Sequence, residues 1–402
     1  MSQSARDLAD EITASLTDPT ANECISTEPP HSLAAGAAGI ALLHIERAHT
    51  QSGSWSTAHR WLTAATAGDL HADHTASLFH DVPALAFVLH AATRGAAGYQ
   101  AARQTLDAAT LALTRARLDA AHARIDRGER PGFREYDLIQ GLTGLGAYHL
   151  HRQPQHPITT AVLTYLVRLT DPLPQGLPGW WTNHGPYNQP PHEYPGGHGN
   201  LGLAHGIAGP LALLALALRQ GVVVYHHADA ISRICTWLDH WQQRRSNAAW
   251  WPQWITLEEA HADVSRWRHP PRASWCYGTP GIARACQLAG IATNDLHRQR
   301  MAERALLACL RDQGQVAQIT EPGLCHGAAG LLHTSHRMAH DDPSGAIADD
   351  VPDLTALLIQ RTATTDVPNE FLDGSAGIAL ALNAVGMGRQ PVSAWDRCLL
   401  LA

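Results

Sequence analysis

The sequence predicts an all-α protein, an α/α toroid: a double-layered barrel of about seven inner and seven outer helices with loop inserts. Three observations carry that expectation. A short G-x-x-G turn recurs along the chain, a run rich in Ala, Leu and Gly and apolar on nearly every face follows each copy, and more amphipathic segments lie between the runs. A helix apolar all round is buried on both sides, whereas one with a single apolar stripe lies at a surface. Each repeat therefore reads as one inner and one outer helix, and a ring of such repeats leaves none of the ends that an open solenoid must cap.

The elements follow in chain order. The opening MSQSARDLADEITASL is polar and patterned as an amphipathic helix, with no signal peptide. The first turn is Gly36/Gly39 in LAAGAAGIALL. The second is degenerate: Phe79-His80-Asp81-Val82-Pro83-Ala84, before LAFVLHAA, carries Asp81 and Ala84 where the glycines usually stand. The others are Gly141/Gly144 in LIQGLTGLGAY, Gly206/Gly209 in LAHGIAGPLALL, Gly278/Gly281 in WCYGTPGIARA, Gly327/Gly330 in LCHGAAGLLHT and Gly374/Gly377 in FLDGSAGIALAL. Spacings between first turn positions are 45, 60, 65, 72, 49 and 47 residues. The shortest suits two helices of three to four turns with their connectors. The glycines permit positive φ and close backbone approach where the inner helices start and converge.

The three longer intervals hold two segments of another character. Residues 171–200 carry seven prolines and the adjacent Trp180 and Trp181, which excludes a regular helix. Residues 246–275 carry Trp250, Trp251, Trp254, Trp267 and Trp275. Two readings stand side by side: ordered loops packed by aromatics, or a rim for an extended ligand, since Trp and Tyr suit wet interfaces. Neither segment looks like an independent domain, so residues 1–402 read as a single toroid domain.

Composition narrows the function classes. The formal charge of −7 and pI near 6.4, without a basic block, argue against nucleic acid as a partner. The longest apolar stretch, Leu201 to Leu218, contains His205 and is interrupted by Pro210, so it reads as a buried helix and its turn, not a membrane span. Seven cysteines without framework spacing point to a reduced, cytoplasmic protein, in which clustered cysteines mean metal or catalysis.

Cys276-Tyr277-Gly278-Thr279-Pro280-Gly281 superposes on Cys325-His326-Gly327-Ala328-Ala329-Gly330, and cysteine takes that register nowhere else. Two sulfurs with the adjacent His326 nitrogen suit Zn2+, and three protein ligands leave a fourth position open, the mark of a catalytic site. The plainer reading is two buried small residues. Cys24, Cys235, Cys286, Cys309 and Cys398 read as core. Near equivalent turns stand Asp137, His205, Arg272 and Asp373, the last read as an N-cap or turn residue. His80, at the register of His205 and His326, is a weaker ligand alternative.

These segments resemble the lanthionine synthetase C-like (LanC) family of cyclases, the free-standing enzymes of class I lanthipeptide synthesis. The matching stretches are YDLIQGLTG, NLGLAHGIAG, RASWCYGTPG, LCHGAAG and GSAGIALAL, spanning about residues 32 to 384. The resemblance implies an α/α toroid that joins a peptide cysteine thiol to a dehydroalanine or dehydrobutyrine of the same peptide, giving a lanthionine or methyllanthionine thioether. It implies Cys276, Cys325 and His326 as ligands of one Zn2+, His205 and Asp137 as the catalytic pair, and Arg272 and Tyr277 as further active-site residues. The implied substrate is a dehydrated precursor peptide, leader plus core, and the implied partners are a dehydratase and an export transporter. The expected location is the cytoplasm, with peripheral membrane association through such a complex as an alternative, and the chain is not expected to be an integral membrane protein. Two other readings are a zinc-dependent protein prenyltransferase-like enzyme, for which no Lys/Arg cluster suited to a diphosphate is seen, and a non-catalytic zinc-containing peptide-binding scaffold.

Overall fold

A helix follows each of the seven turns: Ala37–His49, Asp81–Ala92, Leu142–Arg152, Ala208–Arg219, Thr279–Ala292, Ala328–Asp341 and Ser375–Met387. The structure, a computed structural model, describes residues 2–20, 28–93, 98–174, 176–245 and 248–402. These seven helices are buried along nearly their whole length, as in Ala208–Ala217 and Ala376–Ala384. Each fully buried Leu or Ile contributes roughly 1.5–3 kcal/mol. The helices between are amphipathic. His227–Trp241 buries His227, Ala230, Ile231, Ile234, Cys235, Leu238 and Trp241 and leaves exposed residues such as Asp229 and His240 toward solvent.

The chain forms two compact units, one of residues 1–113 and 317–402, the other of residues 114–316. In the first, the inner helices Ala328–Asp341, Ser375–Met387, Ala37–His49 and Asp81–Ala92 pack in that succession, and the opening helix Ser2–Ser15 lies against Ser375–Met387. In the second, Leu142–Arg152, Ala208–Arg219 and Thr279–Ala292 pack in succession.

One backbone bond explains why the turns keep register. The N–H three residues before the first glycine position donates to the C=O two residues before it in the next copy. It is made by Leu33 to Phe79 (2.8 Å) and Phe371 to Ala34 (3.1 Å) in one unit. In the other it is made by Leu138 to Ala204 (3.0 Å) and Leu203 to Cys276 (2.9 Å). The Phe371 bond joins the last turn to the first.

Of the two freedoms that glycine offers at the turns, positive φ is not the one used. Gly278 has φ −96° and ψ 176°, extended backbone open to any residue, and no turn glycine lies in the left-handed region. Space decides instead. A Cβ on Gly278 would collide with Ser274 N and the Arg272 carbonyl, and one on Gly281 with the Trp275 carbonyl, because the turn folds back on the strand of chain that precedes it. The degenerate copy does the reverse: Asp81 takes φ 64°. Its N–H donates to His31 Nδ1 (3.0 Å) and its carboxylate accepts from the His71 N–H (3.1 Å). Asp tolerates this conformation better than most residues.

The inserts pair with each other. His198–Asn200 runs antiparallel to Trp254–Thr256, with Asn200 opposite Trp254. The described residues of 171–200 form no helix, whereas 246–275 contain the short helix Leu257–Ala262, begun by a Thr256/Glu259 capping box. Trp180, Trp181, Trp250, Trp251 and Trp275 are buried. Residues 175, 246 and 247 of the inserts, and Cys24, lie outside the described residues.

A fully buried ion network holds the C-terminal segment in the first unit. Asp396 accepts from Arg337 Nε (2.5 Å) and Nη2 (2.9 Å) and from His333 Nε2 (2.8 Å). Burial alone would raise the Asp396 pKa, but Arg337 and His333 outweigh it and hold the carboxyl well below the usual range. A depressed carboxyl contributes stability that is fully present above its unfolded pKa of about 4 and is lost as pH falls toward its native value. Asp396→Asn is expected to cost about 3–5 kcal/mol at neutral pH, because Arg337 is left buried without its counter-charge. Chemical denaturation against pH checks this. Equal stability of the two proteins at pH 7 would contradict it, as would a difference that fails to shrink in acid.

Candidate active site and metal donors

Asp137 and His205 are 68 residues apart and are brought together by the Leu138–Ala204 backbone bond. Asp137 follows the short helix Phe133–Tyr136, which Glu135 anchors by accepting from Arg124 and from the Tyr165 hydroxyl. The Asp137 carboxylate is fully buried. One oxygen accepts from the Gln140 N–H (2.7 Å) and the other meets His205 Nδ1 at 2.6 Å. Burial opposes charge on the His205 ring, but the Asp137 carboxylate more than offsets it. Cys276 adds to the pull and Arg134 opposes it, so the imidazole keeps its proton above the ordinary histidine range. Phe133 meets the ring edge-on at 5.6 Å and Tyr277 lies across it at 5.9 Å.

The Cys276 turn adjoins this pair through backbone bonds from Leu203 and Ala204 to the Cys276 carbonyl. The Cys276 side chain is buried, with Ser274 Oγ 3.7 Å from its sulfur. Burial pushes the Tyr277 phenol well above its usual pKa, so it stays neutral; its oxygen accepts from Asn200 Nδ2 at 3.4 Å. Arg272 is half-buried in the same loop, and its guanidinium has no hydrogen-bond or ion-pair partner among the described residues.

In the other unit, Cys325 N–H donates to the Leu372 carbonyl (2.9 Å). His326 Nε2 lies 2.7 Å from Glu321, and Nδ1 lies 3.6 Å from Asp373. Asp373 is a turn residue: it lies in the bend before the last inner helix, whose N-cap is Gly374. His80 sits 3.9 Å from Glu28.

Cys276 in one unit, and Cys325 and His326 in the other, are the donors that the sequence predicts for a metal ion. The donor set fits zinc: two thiols and an imidazole are its preferred ligands. A carboxylate on the nitrogen that does not ligate is the usual support of a ligating histidine, and His326 has one beside each nitrogen, Glu321 at Nε2 and Asp373 at Nδ1. Cys235, Cys286, Cys309 and Cys398 are buried, and burial drives each thiol pKa upward, to about 12 for Cys235 and Cys309. That is the state of inert core cysteines.

Sequence reasoning missed Asn200, Phe133 and Glu321. Only Asn200 carried a trace of signal, as a polar residue immediately before the longest apolar stretch.

Comparison with known proteins completes the picture. The family model for lanthionine synthetase C-like proteins matches residues 28–400. The chain is 27% identical to the nisin biosynthesis protein NisC of Lactococcus lactis subsp. lactis over 202 residues. That alignment spans 49% of this chain and about half, 48%, of the relative. A solved structure of nisin cyclase superposes with a TM-score of 0.81 at 22% identity, covering 98% of this chain and 96% of that one. The fold is thus the α/α toroid. Among the described residues no helix is long and apolar enough to cross a membrane. With its repeated turns, its family match over nearly the whole sequence and its toroid fold, the chain belongs to the lanthionine synthetase C-like family.

Proposed function

We propose that this protein is a zinc-dependent lanthipeptide cyclase that adds cysteine thiols of a dehydrated precursor peptide to its dehydroalanine and dehydrobutyrine residues. In each addition a carbon–sulfur bond forms at the β-carbon, the carbon–carbon double bond is lost, and a proton is delivered to the α-carbon. Family membership supports the reading. The observation that carries it is the Asp137–His205 pair set beside the Cys276 turn by one run of backbone bonds.

Cys276, Cys325 and His326 would hold the Zn2+, which when bound lowers the pKa of a thiol so that it reacts as thiolate near neutral pH. The remaining work falls to the chain's own groups. As sulfur adds, negative charge gathers on the carbonyl oxygen beside the α-carbon. The Arg272 guanidinium is available to offset that charge, and the neutral Tyr277 hydroxyl to donate to it. His205 keeps its proton because of Asp137 and would deliver it to the α-carbon. The buried Asp137 holds the ring by Nδ1, leaving Nε2 as the working nitrogen. A dehydratase must supply the substrate, and an export transporter is the proposed acceptor of the product; the cytoplasm is the proposed site of the reaction.

The test is incubation with a dehydrated precursor peptide that carries its leader. Free thiols should disappear at unchanged peptide mass, and persistence of every thiol would refute the proposal.

A further inference from the structure

We propose that Asn200 is a positioning residue for Tyr277: its side-chain amide donates to the Tyr277 hydroxyl oxygen and so turns that hydroxyl's own proton toward the reacting peptide. This rests on the reading that Tyr277 lines the active site.

The hydrogen bonds around Asn200 have only one consistent direction, because backbone groups fix both ends. Asn200 is fully buried at the end of the insert strand His198–Asn200. Its Oδ1 lies 3.0 Å from the Gly202 nitrogen, which can only donate. Oδ1 is therefore the acceptor, and the Nδ2 group, with two hydrogens, faces the other way. Nδ2 has two neighbours, the Tyr277 oxygen at 3.4 Å and His198 Nε2 at 3.5 Å. At the far side of the His198 ring, Nδ1 lies 2.6 Å from the His184 carbonyl, which can only accept. Nδ1 thus carries the hydrogen. Burial keeps the ring neutral, its pKa lowered to about 4, so Nε2 is an acceptor. One Asn200 hydrogen goes to His198 and the other to Tyr277.

A phenol has one hydrogen. With its oxygen accepting from Asn200, Tyr277 has that hydrogen left to give elsewhere, on the ring that lies across His205. The seat is tight. A Cβ on Gly206 would strike Asn200 Oδ1, and one on Gly202 would strike the Cys276 carbonyl and the Tyr277 ring. The insert strand thereby reaches into the turn region and sets the direction of one donor there.

Asn200→Asp tests this. It keeps the acceptor for Gly202 but replaces the donating amide by an oxygen, so the Tyr277 proton turns back toward residue 200. Four proteins are compared: wild type, Asn200→Asp, Tyr277→Phe and the double variant. The expected result is a kcat for Asn200→Asp reduced by about the same factor as for Tyr277→Phe, roughly 10²-fold for loss of one such donor. The KM for dehydrated peptide should change little, and the double variant should be no slower than Tyr277→Phe alone. An unchanged kcat in Asn200→Asp, or losses that multiply in the double variant, overturns the proposal.

A readout independent of turnover accompanies it. The tyrosine doublet in the ultraviolet resonance Raman difference between each protein and its Tyr277→Phe counterpart reports whether the phenol oxygen accepts or the hydroxyl donates. It should move from acceptor-like to donor-like on Asn200→Asp, and an unmoved doublet overturns the proposal even if no peptide is cyclised. Should Asn200→Asp fail to fold, His198→Phe removes the acceptor behind the amide. Its rate loss should vanish in the Tyr277→Phe background, and persistence there overturns the proposal. Absence of thiol loss in the wild type refutes the cyclase reading, while the Raman comparison still decides the role of Asn200.

Discussion

Cys276→Ala is expected to lose bound zinc and thioether formation together while keeping its fold. The side chain is one of only two sulfurs in the donor group, so its removal leaves one thiol and one imidazole, too few ligands for a stable zinc site. The structural work at this position belongs to the main chain: the Cys276 carbonyl accepts from Leu203 and Ala204, and alanine keeps that carbonyl. Melting should therefore stay close to wild type, whereas metal content per chain should fall toward zero. The rate should drop by about two orders of magnitude or more, since an unassisted thiol is only a few per cent ionised at neutral pH. Elemental analysis and thiol consumption on the same preparation check both. A full rate without bound metal would remove zinc from the mechanism.

His205→Asn is expected to retain zinc and lower kcat by about 10²–10⁴-fold, the usual contribution of a positioned proton donor. The imidazole is not one of the three metal donors, and its one ion-pair partner among the described residues is Asp137. The pH dependence separates this role from a structural one. Asp137 raises the His205 pKa against the effect of burial. A group that works as an acid loses function as pH rises through its pKa, so the wild-type rate should fall on an alkaline limb. In Asp137→Asn the His205 pKa drops, and the limb should move to lower pH. An unshifted limb would assign it to another group, and an undiminished rate in His205→Asn would remove the residue from the scheme.

Much of this protein was legible in one dimension. The seven inner helices announce themselves because burial on all sides fills most positions with apolar residues, a signal carried within a dozen consecutive residues. Even the copy without glycines, at Asp81, was recognisable from its spacing and the apolar run behind it. The glycines themselves left one question open. Their identity is dictated by the lack of room for a Cβ beside a folded-back loop, as at Gly281 under the Trp275 carbonyl, and not by φ. Sequence composition cannot tell these two causes apart.

The site was legible only where it repeats. Cys276 and Cys325 share a register, and His205 and His326 share the next one, so the repeat itself aligned them. Asn200, Phe133 and Glu321 lie outside that register. Asn200 meets Tyr277 across 77 residues because strand His198–Asn200 pairs with Trp254–Thr256 from the other insert, and no local pattern encodes that pairing.

The sequence by itself determined the repeat, the alternation of inner and outer helices and the placing of cysteine and histidine at equivalent turns, because each depends on residues close together in the chain. Only the tertiary structure decided how Asp137 grips His205, which way the Asn200 amide points and which groups flank His326. Those are matters of a few tenths of an ångström and of hydrogen-bond direction between distant residues, set when the turns are laced edge to edge by backbone bonds such as Leu203 to Cys276.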